Sequence, residues 1–275
     1  MKKLALFVAL TITLITGNAM ACETCKGRVV SMKATPQGEL KANTTTKILV
    51  NFKDTKTGAP IGENELLIAH TKKVHLLIID PTLTDYQHIH PTPTANPGEF
   101  SFDFTPEKDG LYKIWADLKP LKSGNQEYVT EVIGQASGKE EISKVINNDA
   151  EVDGYKFKLI FDSALTAEKA SLGNLKVEDK DGKPVTKLEP VLGAFAHIVG
   201  FSEDFNTVVH IHPMGVEPAN DSARGGPELQ FHIEPATTGF VKLFAQVKID
   251  GKDIFVPFGL NVGNALAENA AEHAH

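Results

Sequence analysis

The chain is written twice, and this limits its fold more than any other feature of the sequence. Leu40 and Ala42 return as Leu165 and Ala167, and the turn from Asp54 through Gly58 to Pro60 returns as Asp179 through Gly182 to Pro184. His75 with His88-Ile89-His90-Pro91 returns as His197 with His210-Ile211-His212-Pro213. Glu99-Phe100-Ser101-Phe102 matches Glu228-Leu229-Gln230-Phe231, and the stretch from Gly110 to Ala116, with Trp115, matches Gly239 to Ala245, with Phe244. The order is the same in both copies, as a duplicated structural unit requires. A chain of 275 residues is long enough for two such units with separate cores.

Each copy reads as short strands between turn signals. The first offers strands over 47–52, 74–80, 86–90, 100–104, 111–118 and 127–133. The second offers 157–161, 175–178, 197–201, 208–212, 229–233, 241–247 and 254–262. Neither contains a long segment with helical period. Roughly a hundred residues with about seven short strands fits an immunoglobulin-like sandwich. The expected fold is therefore all-β, with two tandem immunoglobulin-like β-sandwich domains after an N-terminal signal peptide. The boundaries are 1–21 for the signal, 26–134 for repeat 1, 135–153 for a polar linker, 154–263 for repeat 2 and 264–275 for a flexible tail.

The signal rests on Met1-Lys2-Lys3, the apolar run Leu4 to Thr16 and the small residues ending at Ala21. That run is too short to span a bilayer, and no other stretch approaches a span. The expected setting is periplasmic or secreted. Cys22 directly follows the cleavage site, so a lipid anchor there is the lesser alternative to simple cleavage. Cys22 and Cys25 are the chain's two Cys, and an oxidising compartment would let them pair locally.

The ten His carry the functional signal. Six form one pattern used twice: His75, His88 and His90, then His197, His210 and His212. His88 and His90 are two apart on a strand, so alternation puts them on one face. If the preceding strand returns antiparallel with His75 opposite either of them, all three imidazoles converge; a slip of one residue sends His75 to the other face. Three nitrogens from two strands make a workable open metal site. His70 and His232 are private to single copies, and each is a type able to ligate or orient a ligand. Met214 adds a soft donor beside His212-Pro213. Imidazole-rich sites without thiolate suit Cu(II) first in an oxidising setting, and zinc second. The competing reading is structural. His75 shares its strand face with Leu77 and Ile79, and His197 with Val199 and Phe201, where a core-edge His bonds backbone or water. His273 and His275 lie in the tail.

This pattern, followed by the aromatic stretch around Trp115 and Phe244, resembles exported bacterial tandem β-sandwich proteins similar to the YtkA/FixH-like and CopC-like domains. The resemblance implies a sandwich fold, an exported setting and periplasmic copper handling. CopC-like domains use a His at the mature N-terminus, where Cys22 stands here.

Other chemistries find little support. A net charge of −7 supplies no basic surplus for nucleic acid. No nucleophile elbow, phosphate loop or dinucleotide fingerprint occurs. Asp80, Asp85, Asp103, Asp117 and Glu131 are scattered and read as solvation or turn chemistry. The reading is a metal-binding protein for storage, delivery or tolerance rather than an enzyme, with a metal ion and an envelope protein as partners. The alternative is a non-catalytic interaction module of the cell envelope. A metalloenzyme would need Asp103 or His232 within reach of the His cluster.

Overall fold

Alternation along the strands builds two cores. The computed structural model describes residues 28–136, 138 and 141–264, apart from the His210 side chain. The signal segment, Cys22, Cys25 and the tail beyond Asn264 lie outside the described residues. The first unit contains β1 (Val30–Pro36), β2 (Thr46–Asp54), β3 (Leu66–Leu67), β4 (Val74–Ile79), β5 (Tyr86–Ile89), β6 (Thr92–Pro93), β7 (Glu99–Phe104), β8 (Leu111–Pro120) and β9 (Glu127–Gly134). The second contains β10 (Asp149–Val152), β11 (Tyr155–Phe161), β12 (Ser171–Asp179), β13 (His197–Ser202), β14 (Val208–Pro213), β15 (Glu228–Glu234), β16 (Gly239–Ile249) and β17 (Lys252–Val262). All strand pairs are antiparallel.

The fold is the expected all-β pair of immunoglobulin-like sandwiches. In the first unit the sheet β1-β2-β7-β6 faces a sheet of β3, β8, β4, β5 and β9. Between them lie Ile48, Val50 and Phe52 of β2, Phe100, Phe102 and Phe104 of β7, and Leu76, Ile78, Tyr112 and Ile114 of β4 and β8. The Tyr112 hydroxyl donates to Asp85 Oδ2 at 2.6 Å and accepts from the Lys108 amide at 3.2 Å. This is the tyrosine corner expected of an immunoglobulin-like strand turn. The second unit folds around Leu175, Val177, Phe231, Ile233, Leu243, Val256 and Phe258, but β14 pairs with both β13 and β15 and so joins its strands into one eight-stranded order.

Two features were not apparent from strand patterns alone. β1 has the alternating burial of a half-exposed strand, and its apolar positions are the modest Val30, Met32 and Ala34. The stretch read as a linker contains β10, which forms a hairpin with β11.

The units meet on equivalent faces. β1, β2, β7, β11 and β12 alternate between core and solvent, whereas β4 is buried at every position. A strand buried on both faces needs a second packing partner. For β4 and β8 that partner is the matching sheet of the second unit: Leu77, Ile79, Tyr86 and Trp115 pack with Val199, Phe201 and Phe244. Trp115 lies 5.4 Å from the Phe201 ring and Tyr86 4.8 Å from Phe244. Lys113 crosses to the second unit, where its ammonium donates to Phe205 O at 2.9 Å and Asn206 Oδ1 at 2.7 Å.

Candidate metal centre

The register of β4 and β5 decides where the first unit's histidines go. Leu76 pairs with Ile89 and Leu77 with His88, so one further step sets His90 opposite His75. His88 and His90 share a face with His75, as directly opposite and alternate residues must. His75, His88 and His90 each offer a ring nitrogen, and the three nitrogens lie within 4.8 Å of one another. The His75 Nδ1 to His88 Nε2 distance is 3.2 Å, and the His75 Nδ1 to His90 Nε2 distance is 3.1 Å.

Hydrogen bonds on the far side of two rings fix which nitrogens carry protons. His75 Nε2 lies 2.8 Å from Ala69 O. A carbonyl only accepts, so Nε2 holds the proton and Nδ1 presents its lone pair to the cluster. His88 Nδ1 lies 3.2 Å from Gln246 Oε1. The Gln246 amide is oriented because its Nε2 donates to Asp253 Oδ1 at 3.1 Å. His88 Nδ1 is therefore the donor, and Nε2 presents its lone pair. Two neutral imidazoles thus face each other lone pair to lone pair. His90 can donate to His75 Nδ1, but His88 Nε2 then gains nothing. An unsatisfied buried acceptor costs about 1–3 kcal/mol. Ligands about 2.0–2.1 Å from one ion and 3.1–3.2 Å apart subtend about 100°, which suits zinc or copper.

Protons do not relieve this arrangement near neutral pH. Burial pushes His75 below the ordinary imidazole value, and burial together with His197, His75 and His90 pushes His88 well below it. Burial and the neighbouring His75 hold His90 down to about 4. The rings stay neutral, which is the form that binds metal.

The turn before β4 supplies the Ala69 carbonyl. Ala69 and Lys72 exchange both backbone bonds, at 2.8 and 3.0 Å, around His70 (φ 48°) and Thr71 (φ 71°). The second unit makes the same turn between Val191 and Ala194 with Leu192 (φ 53°) and Gly193 (φ 84°). Glycine is at ease at such an angle, and a β-branched Thr is not. The strained pair places the His70 ring 6.2 Å from His75 and 6.3 Å from His197.

The second unit's histidines take a different course. β14 pairs with β13 only at Gly200–Val209 and Phe201–Val208. It then leaves for β15, with His210 opposite Glu234 and His212 opposite His232. The two ladder steps between Gly200–Val209 and the His197–His212 position are missing, so β14 does not carry the first unit's register as far as its histidines. His197 instead turns to the first unit, with its ring 4.9 Å from His88 and tilted 33°. Burial pushes His197 down to about 3. Among the residues whose side chains are described, His75, His88 and His90 are the one group of three that could hold an ion. A cavity of about 350 Å³ lies beside the departing strand, lined by His70, Ile198, His212 and Met214.

Some participants went unmarked in the sequence. Asp117, read as solvation, is buried directly opposite His75 in the β4–β8 ladder, and Gln126 donates to its carboxylate at 2.8 Å. Gln246 takes the matching place opposite His197 in the second unit. Both follow the aromatic-Ala dipeptide of the repeat, a signal that could have found them. Asp103 is exposed and paired with Lys47 at 3.0 Å on β7, and His232 faces His212 on β15.

Sequence and structure together define a tandem immunoglobulin-like protein with a three-imidazole cluster at the contact between its units. Residues 26–135 and 150–264 match the family described as a domain of unknown function, DUF8832, and the chain belongs to that family. No curated protein matches the chain. Among solved structures it is similar to domains 4 and 5 of the S-layer protein SbsC, at 12% identity over 86% of this chain and 100% of that one, with a TM-score of 0.24. It is also similar to the D00-D0 domain of intimin, at 13% identity over 84% of this chain and 98% of that one, with a TM-score of 0.25.

Proposed function

We propose that the protein is an exported metal-binding protein that holds one ion, copper first and zinc second, through His75 Nδ1, His88 Nε2 and His90 Nε2. Its role is storage, delivery or tolerance rather than catalysis. The observation that carries this reading is the pair of facing lone pairs on His75 and His88, each fixed by a hydrogen bond on the far side of its ring. A cation turns that repulsion into two bonds. Each unit has a full apolar core of its own, so the ion is cargo and not a folding staple. The N-terminal segment and the resemblance to periplasmic copper-handling domains point to export. Metal analysis of protein purified from the periplasm, with Cu(II) and Zn(II) titrations of the chelator-treated protein, tests the proposal.

A second reading has its own observation. His88 and His197 stack beside the apolar contact between the units, which a structural role in an envelope interaction module would also explain. It expects the His88→Ala, His90→Ala double variant to change stability while the wild type takes up no metal.

A further inference from the structure

We infer that the metal centre is completed by the second unit, with Gln246 and Asp253 as positioning residues for the first unit's His88. The inference rests on the metal-binding reading of the cluster and adds a coupling between ion and domain contact.

All three proposed ligands belong to the first unit, but the group that aims one of them does not. His88 Nδ1 donates across the contact to Gln246 Oε1 at 3.2 Å, and Gln246 Nε2 donates to Asp253 Oδ1 at 3.1 Å. Gln246 lies on β16 and Asp253 on β17, where Lys248 and Asp253 are ladder partners at the hairpin end. The chain Asp253–Gln246–His88 fixes the tautomer that leaves Nε2 free. Without it, His88 can turn Nδ1 toward His75 or carry its proton on Nε2, and either change removes the third donor. His197, also from the second unit, holds the other side of the ring, with centroids 4.9 Å apart. His88 is thus fixed at its edge and its face by the second unit.

The same bond carries information the other way. An imidazole bound to a cation is a stronger N–H donor, so an ion on Nε2 strengthens the Nδ1–H bond to Gln246. Ion binding therefore tightens the contact between units, and by linkage a tight contact raises ion affinity by the same factor. Loss of such an outer hydrogen bond typically lowers metal affinity 10–100-fold.

The test uses the whole exported chain, stripped with chelator and titrated with Zn(II) against a competing indicator. Gln246→Leu removes the acceptor at similar size, whereas Gln246→Glu combined with Asp253→Asn keeps an acceptor oxygen for His88 and an amide beside it to hold that oxygen in place. The expected result is a 10–100-fold loss for Gln246→Leu and affinity within about threefold of wild type, or tighter, for the Gln246→Glu, Asp253→Asn double variant. Amide exchange supplies the second readout: Zn(II) should slow exchange in β16 of wild type and not of Gln246→Leu. Gln246→Leu binding as tightly as wild type, or the Gln246→Glu, Asp253→Asn double variant losing as much as Gln246→Leu, would overturn the inference while leaving the three-His site intact. Wild type that binds no Zn(II) or Cu(II) would overturn the metal reading itself, and this inference with it.

Discussion

The metal-free protein should lose stability in acid because its buried histidines resist protonation, and the share of His197 can be isolated. Its ring is confined at the contact between units, and burial holds its pKa down to about 3. In the unfolded chain the same ring titrates near 6.5. A lowered folded value means that the unfolded state binds the proton first. Stability is therefore complete above about pH 6.5 and falls as pH drops toward the folded value. At pH 4 the unfolded ring is favoured by about 2.5 pH units of proton binding, or about 3 kcal/mol at 1.36 kcal/mol per unit. The ring is not fully enclosed, and screening reduces this to about 2 kcal/mol. His197→Phe keeps an aromatic ring against His88 and removes the titration. Urea unfolding at pH 7.5 and pH 4, in chelator, should show wild type losing about 2 kcal/mol more than the variant. Equal pH dependence in the two proteins would refute the reasoning, because it would mean that His197 is not held neutral by burial.

Three other perturbations follow from the geometry. His75→Ala empties a 2% exposed site and orphans the Ala69 carbonyl, so chelated protein should lose about 1–3 kcal/mol, and thermal unfolding with Zn(II) at a hundredfold excess over Kd should reveal a further loss of about 2.7 kcal/mol of ion-derived stability. Thr71→Gly copies Gly193 of the second unit, relieves a β-branched residue at φ 71°, and should stabilise the chain by roughly 1 kcal/mol in urea unfolding. Trp115→Ala empties the centre of the contact between units, where the ring is 2% exposed; it should cost about 3–5 kcal/mol and increase the radius of gyration in solution scattering.

The duplication and the strand period carried most of the fold. Phe100, Phe102 and Phe104 alternate as a half-buried strand must, and they fill the first core. His88 and His90 share a face for the same reason. Register is a different matter, because β4 is apolar on both faces and alternation does not choose between them. The apolar run that hides the register also announces the contact between units: Leu77 and Ile79 needed a partner, and Val199 and Phe201 needed the same one. The early departure of β14 toward β15 was not legible, since His210-Ile211-His212-Pro213 repeats the first copy residue for residue. The difference arises from what each strand pairs with, a long-range choice with no local signature. Gln246 was hidden for a related reason: its role depends on a ring 158 residues away in the other unit.

Titration of the chelator-treated protein with Zn(II) and Cu(II), beside the His75→Ala and His88→Ala variants, tests the central claim most directly. The account requires one tightly bound ion per wild-type chain, and a loss of that ion in each variant. Wild type that takes up no ion, or variants that bind as wild type does, would contradict it.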